Sequence, residues 1–234
     1  MAEHFHLFGA AHCTILLSVV GLGAALTAIQ RRLKPGARSL RLTLGVLLAA
    51  NTALYYWDLS RHGLLRFPNH LPFELCDASL YLALLCLLLG PRPLLYDLLY
   101  YFAVAGAGMA LLTPNFVDPF PSLSTMLFFT SHGLLVSATL FLGWSGLARP
   151  RPGSAMRAFI GVNLWAVLAG TFNILFKTDY MFLCAKPPTP SLLDLLGPWP
   201  WYLLTTEGVA VVLFSLLYLP WRRRTLVRPA VPAD

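Results

Sequence analysis

Lysine and arginine crowd into every second gap between seven long apolar runs, and few folds are open to a chain patterned this way. The runs cover about residues 6–29, 40–58, 71–90, 94–112, 123–145, 157–176 and 200–220. Each is long enough, or nearly so, to cross a hydrocarbon core of about 30 Å at roughly 1.5 Å per helical residue. The gaps after the first, third, fifth and seventh runs hold Arg31, Arg32, Lys34, Arg38 and Arg41; Arg92; Arg149, Arg151 and Arg157; and Arg222, Arg223, Arg224 and Arg228. The other gaps hold only Arg61, Arg66, Lys177 and Lys186. Such alternation is the outcome of the positive-inside rule. The expected fold is an all-α polytopic membrane protein with seven transmembrane helices. Its N-terminus is expected outside, its C-terminus in the cytoplasm, and residues 1–234 are expected to form one domain in the plasma membrane.

Composition narrows the function. With 57% hydrophobic and 12% charged residues among 234, helices and short connections account for nearly the whole length. The net charge of +7 would suit a nucleic-acid ligand, but the basic residues flank the runs and face an anionic leaflet instead. Nucleic acid is therefore not an expected partner, whereas membrane lipids are. The oligomeric state is left open. The first run lacks the basic start and small-residue cleavage site of a signal peptide and precedes a basic cluster, so it reads as a span. Cys13, Cys76, Cys86 and Cys184 form no CxxC pair, so no metal and no cofactor is expected. Cys86 reads as packing, and Cys13 and Cys184 are a possible disulfide pair. The proline-rich segment 177–199 exceeds the usual connection. With Leu192 to Leu196 beside Trp199 and Trp201, it is expected to form an outer lid at an aromatic belt.

That topology sorts the polar residues. His12, Asn51, Asp58, Glu74, Cys76, Asp77, His132, Asn173, Lys177 and Glu207 all fall in the outer half or at its edge, while the inner halves hold almost nothing ionisable. Ionisable groups within a membrane usually face a bundle interior or an aqueous cavity. One polar cavity, open or gated to the outside, is the expectation. Asn51 and Asn173 would also serve as interhelical hydrogen bonders, and Glu207 as an interfacial residue.

The third run opens Leu71-Pro72-Phe73-Glu74-Leu75-Cys76-Asp77. Proline suits a first helical position, which would place Glu74 in the first turn and Cys76 in the second, near the positive end of the helix dipole. At about 100° per residue, Glu74, Asp77 and Tyr81 share a face from which Cys76 is turned away. A cysteine activated by a histidine of another helix is a nucleophilic pair, and His132 is the first partner to consider, His12 the second. Counted from the run ends, Cys76 lies about five residues in and His132 about nine, an offset of about a turn.

Several stretches resemble the bacterial YwaF-like integral membrane family, itself similar to the eukaryotic transmembrane protein 164 family. They are the early His12, Leu71 to Cys76, Leu111-Leu112-Thr113-Pro114, Phe128-Phe129-Thr130-Ser131-His132, Tyr180-Met181-Phe182-Leu183, Lys186-Pro187, Ser191 to Tyr202, and Glu207. The resemblance runs over almost the whole chain. It implies a cysteine-dependent acyltransferase that moves fatty acyl chains between phospholipids through a thioester, with Cys76 as nucleophile and His132 as base. The chain departs from the family pattern at Glu74, Ser122 and Asp179, where Gln or His, His, and Asn are often found. A carboxylate beside Cys76 would oppose thiolate formation.

Two functions of different class follow. In the first, an acyl ester enters from the outer leaflet and acylates Cys76, and a lysolipid hydroxyl or water resolves the thioester. Asn51 or Asn173 would face the oxyanion, and Trp199 and Trp201 the headgroup. In the second, the chain binds or transports a small polar or amphipathic ligand, with Glu74, Asp77 and Glu207 binding a cation or carrying protons. His12, Asn51, Glu74, Asp77, Asn173, Trp199, Trp201 and Glu207 are the expected substrate-binding residues of either. A purely structural protein would not explain the one-sided polar cluster.

Overall fold

The computed structural model describes residues 5–32, 37–115, 120–187 and 191–226. Lys34 and Arg228 of the basic gaps lie outside the described residues. Each apolar run contains one helix: α1 Ala10–Arg32, α2 Ala37–Arg61, α3 Leu75–Leu89, α4 Pro93–Leu112, α5 Leu123–Trp144, α6 Ser154–Phe176 and α7 Trp201–Leu226. Among the described residues there is no β-strand. Five helices, α1, α4, α5, α6 and α7, are long and apolar enough to cross a membrane. By that criterion α2 and α3 fall short, α2 because charges sit near both its ends and α3 because it is short.

Local chemistry sets the helix boundaries. Ser122 caps α5: its hydroxyl accepts the Thr125 N–H, and the Thr125 hydroxyl accepts the Ser122 N–H at 2.9 Å. Pro93 opens α4 at a position where no amide donor is needed. The start of α3 differs from the sequence expectation. Pro72 does not open it; Glu74 is the N-cap and Cys76 only the second helical residue. The Asp77 carboxylate holds this start by accepting the Glu74 N–H at 2.9 Å.

The central helix is α5, which packs against α1, α2, α3 and α4. The Ser137 hydroxyl donates to the Val19 carbonyl of α1, and the Tyr96 hydroxyl of α4 donates to the Thr139 carbonyl at 3.0 Å. By contrast, α6 and α7 leave most of their surface exposed, as lipid-facing helices do. The chain bends from α-helix to π-helix at Leu85–Leu89 in α3 and at Phe102–Ala107 in α4. π-Bulges of this kind are frequent at functional sites. Gly106, inside the second bulge, has no side chain where Leu75 of α3 comes in; a Cβ there would lie 3.0 Å from Leu75 Cδ2.

The arginine-rich face is tied down by its own side chains. Arg31 donates to the Trp144 carbonyl that ends α5, and Arg41 to the Cys86 and Leu87 carbonyls at the end of α3. Both placements satisfy carbonyls that a helix C-terminus leaves free. One expectation fails at this face: an ionisable residue does lie deep within it. Asp97, fully buried in the first turns of α4, accepts from the Arg151 N–H, Nε and Nη2 and from Arg157 Nε. An acidic residue a few positions into an apolar run, with arginines in a later gap, was the legible signal.

Candidate active site at the head of α3

The sequence around Cys76 makes the head of α3 a junction of two loops. Glu74 turns its carboxylate to the Met181 N–H at 3.0 Å, binding the loop that follows α6. Asn173, near the end of α6, brackets the same loop. Its amide donates to the Tyr180 carbonyl, and its oxygen accepts the Tyr180 N–H and the Thr178 hydroxyl. The Tyr180 hydroxyl then donates to the Pro68 carbonyl and accepts the Leu71 N–H. Burial raises the Tyr180 phenol above its ordinary value, so it stays protonated and able to donate. Trp165 of α6 adds a bond from its indole to the Phe73 carbonyl, and Phe172 stacks on Phe73 with centroids 4.6 Å apart. Loops 68–74 and 178–183 are thereby knitted together above Cys76.

Of the later lid residues, Leu192–Leu196 packs on α7. Leu192–Leu196 forms a 3₁₀ turn, the Tyr202 hydroxyl donates to the Phe182 carbonyl, and the Trp199 indole donates to the Leu183 carbonyl. Trp199 and Trp201 remain exposed, as an interfacial belt requires. All four cysteines are free thiols, so no bridge joins Cys13 to Cys184. Cys86 is fully buried in the core.

Cys76 itself is mostly buried, and among the described residues its thiol donates no hydrogen bond. The Cys76 and Asp77 N–H groups lie close to its sulfur, the Asp77 N–H donating to the Glu74 carbonyl at 3.1 Å. Asp77 interacts electrostatically with the phenols of Tyr55 and Tyr56 on α2 and Tyr81 on α3. Two carboxylates, one thiol and a ring of tyrosines from α2, α3 and the lid loop thus share one neighbourhood. The sequence reading named Glu74, Cys76 and Asp77, quoted Tyr180 only within a family motif, and missed Tyr55 and Tyr56. Tyr55 and Tyr56 are neighbours on α2, far in sequence from both Tyr180 and the head of α3, and only packing assembles them.

The two histidines differ in what their rings are free to do. In His12, Nδ1 accepts the Phe8 N–H at 2.9 Å, so Nε2 carries the proton and donates to the Leu111 carbonyl at 2.7 Å. Both nitrogens are engaged, and the ring fastens the start of α1 to the end of α4. In His132, Nδ1 lies 2.9 Å from the Phe128 carbonyl, which only accepts, so Nδ1 carries the proton. Nε2 then holds a lone pair, and among the described residues it meets no hydrogen-bond partner. His132 is only 8% exposed. It is a buried imidazole with its basic nitrogen unoccupied.

Counted from the arginine-rich ends of their helices, Cys76 and His132 lie at similar depth. Cys76 lies thirteen residues before the end of α3 at Leu89, and His132 lies twelve before the end of α5 at Trp144. At 1.5 Å per residue the two sit about 20 Å and 18 Å above the arginine-rich face. Contacts through α4 agree. Leu75 lies against Gly106, and Tyr96 meets Thr139, which in antiparallel register sets Gly106 opposite His132 to within about a turn. His132, Thr139 and Gly143 share a face of α5 at i, i+7 and i+11, and Gly143 lies beside the Tyr96 hydroxyl. No hydrogen bond joins Cys76 to His132.

The remaining polar residues are placed elsewhere or already occupied. Asn51 donates to the Leu127 carbonyl of α5. Glu207 accepts from Asn163 of α6 at 3.0 Å. Asn163 was passed over in the sequence although it stands mid-run. Among the described residues no three His, Cys, Asp or Glu converge as metal ligands would.

An all-helical chain with several apolar helices of spanning length, enclosing polar groups within the bundle, is a membrane protein. This one belongs to the TMEM164 family, whose profile matches residues 7–218. No curated protein and no solved structure matches it.

Proposed function

We propose that this protein is a membrane-embedded acyltransferase acting on phospholipid or lysophospholipid acyl chains, with Cys76 as nucleophile and His132 as base. The carrying observation is a half-buried thiol that donates no hydrogen bond and an imidazole with an unoccupied nitrogen, at similar depth on the packed helices α3 and α5. His132 Nε2 takes the Cys76 proton as the sulfur attacks the ester carbonyl of a donor lipid. The carbon–oxygen bond breaks, and the leaving lysolipid oxygen takes the proton back from the imidazolium. An acceptor lysolipid hydroxyl, or water, then gives its proton to Nε2 and attacks the thioester, and the Cys76 sulfur leaves and is reprotonated. Separation beyond hydrogen-bond contact is common in such pairs before substrate binds. The Cys76 backbone N–H, in the first turn of α3 where no helical carbonyl reaches it, is the donor proposed for the developing oxyanion.

Seven spans complete the reading, with the N-terminus outside, the C-terminus cytoplasmic, and the site toward the outer face of the plasma membrane. Supporting it are the charge alternation and the sixteen uncharged residues between Arg41 and Asp58 of α2. The carboxylates that would favour ligand binding or transport are occupied at home: Glu74 holds Met181, and Asp77 holds Glu74.

Intact mass spectrometry of the membrane-purified protein, before and after neutral hydroxylamine, tests the chemistry. A hydroxylamine-labile fatty-acyl mass that is absent in Cys76→Ala is expected. Unchanged transfer from fluorescent phospholipid to lysolipid in Cys76→Ala would remove the proposal.

A further inference from the structure

One stripe of α3 leads away from Cys76 into the membrane. Ala78, Ser79, Leu80, Ala83, Cys86 and Leu87 are buried against neighbouring helices. What stays open is the line Tyr81, Leu85 and Leu89, at helical spacings of four below the half-buried Asp77, with Tyr81 43%, Leu85 40% and Leu89 72% exposed and Leu88, 40% exposed, at its lower edge. The opening is narrow, because α2 runs along one side of it. Tyr55 and Tyr56 accompany Asp77 near the top, and Gly45 lets α2 approach Leu88 near the bottom, where a Cβ would lie 2.6 Å from Leu88 Cδ2.

Polarity falls along the stripe. A carboxylate and a phenol lie near the nucleophile, and leucine alone follows them. From Cys76 to Leu89 the helix rises about 20 Å, somewhat more than the roughly 15 Å of hydrocarbon in one leaflet. A glycerolipid lowered from the lid face has the same order of groups and nearly the same length, with its ester at the top and its acyl chain below.

We propose that the Tyr81–Leu85–Leu89 stripe of α3 is the acyl-chain track of the donor lipid, with Leu85 setting the chain length accepted. The assignment rests on the acyl-transfer reading. The chain lies against α3 beside α2, its ester carbonyl is held at Cys76, and a bulkier residue at 85 shortens the track.

Two measurements test it. In the first, the wild type, Leu85→Trp and Leu85→Ala are reconstituted with an equimolar mixture of lauroyl and palmitoyl phosphatidylcholine, and the acyl masses on Cys76 are compared. Leu85→Trp should raise the lauroyl-to-palmitoyl ratio at least fivefold, and Leu85→Ala should not. Leu164→Trp, at a comparably lipid-facing position on α6, should leave the ratio unchanged. Normal acylation of Leu85→Trp with an unchanged ratio overturns the track. In the second, Cys76→Ala is irradiated in vesicles of phosphatidylcholine carrying a terminal diazirine on its sn-2 chain. Labelling concentrated on the peptide containing Leu85 and Leu89 supports the track even if the wild type forms no acyl-cysteine, which would defeat the acyl-transfer reading alone. Labelling no stronger there than on the Leu164 peptide overturns it, including where Leu85→Trp fails to fold.

Discussion

The Glu74 carboxylate accepts the Met181 N–H across 107 residues of chain, so the residue that caps the cysteine-bearing helix also holds the loop above it. Replacing Glu74 by Gln keeps an acceptor and should leave the loop in place. Replacing it by Ala leaves the Met181 N–H unpaired, at a cost of about 1–3 kcal/mol. Hydrogen exchange of residues 178–184 reads the difference: protection should persist in Glu74→Gln and fall in Glu74→Ala. Equal protection in both would show that Asn173 and Tyr180 hold the loop unaided.

The two buried histidines should separate cleanly. His132→Ala removes a free base and should lower acyl-cysteine formation by about 10²- to 10⁴-fold with little loss of stability. His12→Ala strands the Phe8 N–H and the Leu111 carbonyl, and should destabilise the fold by about 1–3 kcal/mol. Thermal unfolding in detergent beside a single-turnover acylation assay distinguishes them. Activity loss in His12→Ala at unchanged Tm would contradict the assignment.

Asp97 is the only carboxylate among the described residues in contact with both Arg151 and Arg157. Removing one side of a buried pair costs about 3–5 kcal/mol, and partial exposure of both guanidinium groups places this case near the lower figure. Asp97→Ala should therefore lower Tm strongly. Arg151→Ala added to it should cost little more, because the partner is already gone. Strict additivity of the two changes would mean that the ion pair is not what stabilises this end.

Labelling of Cys184 should report both side and chemistry. Its thiol is raised above the ordinary range by burial first and by the Asp179 carboxylate second. Less thiolate is then present at neutral pH than in a free cysteine, and reaction with an impermeant maleimide should quicken as pH rises. Asp179→Asn should quicken it at fixed pH. Labelling from the cytoplasmic side alone would reverse the proposed topology.

Much of this was legible in one dimension. Hydropathy and charge are local, so seven helices, their approximate ends and the arginine-rich face could be read from runs and gaps. The segment around Leu192–Leu196 was likewise readable as a short turn beside tryptophans, and the quoted motifs carried the family. Asp97 and Asn163 were visible but overlooked, since both stand alone inside apolar runs. Tyr180 was visible only as part of a family motif, and Tyr55 and Tyr56 carried no signal, because tyrosine is ordinary in such segments.

The sequence by itself determined that this is a helical membrane protein of its family, because burial in lipid demands long apolar helices wherever the chain crosses. It also put a cysteine and a histidine on different helices. Only the tertiary structure decided that Glu74 caps rather than enters α3, and that the register of α4 against α3 and α5 sets Cys76 and His132 at similar depth. It also decided which histidine keeps a lone pair. The ring of His12 is occupied by a carbonyl 99 residues away, while that of His132 is bonded only within its own helix. Hydrogen bonds between distant segments depend on register and packing, and no local pattern encodes either.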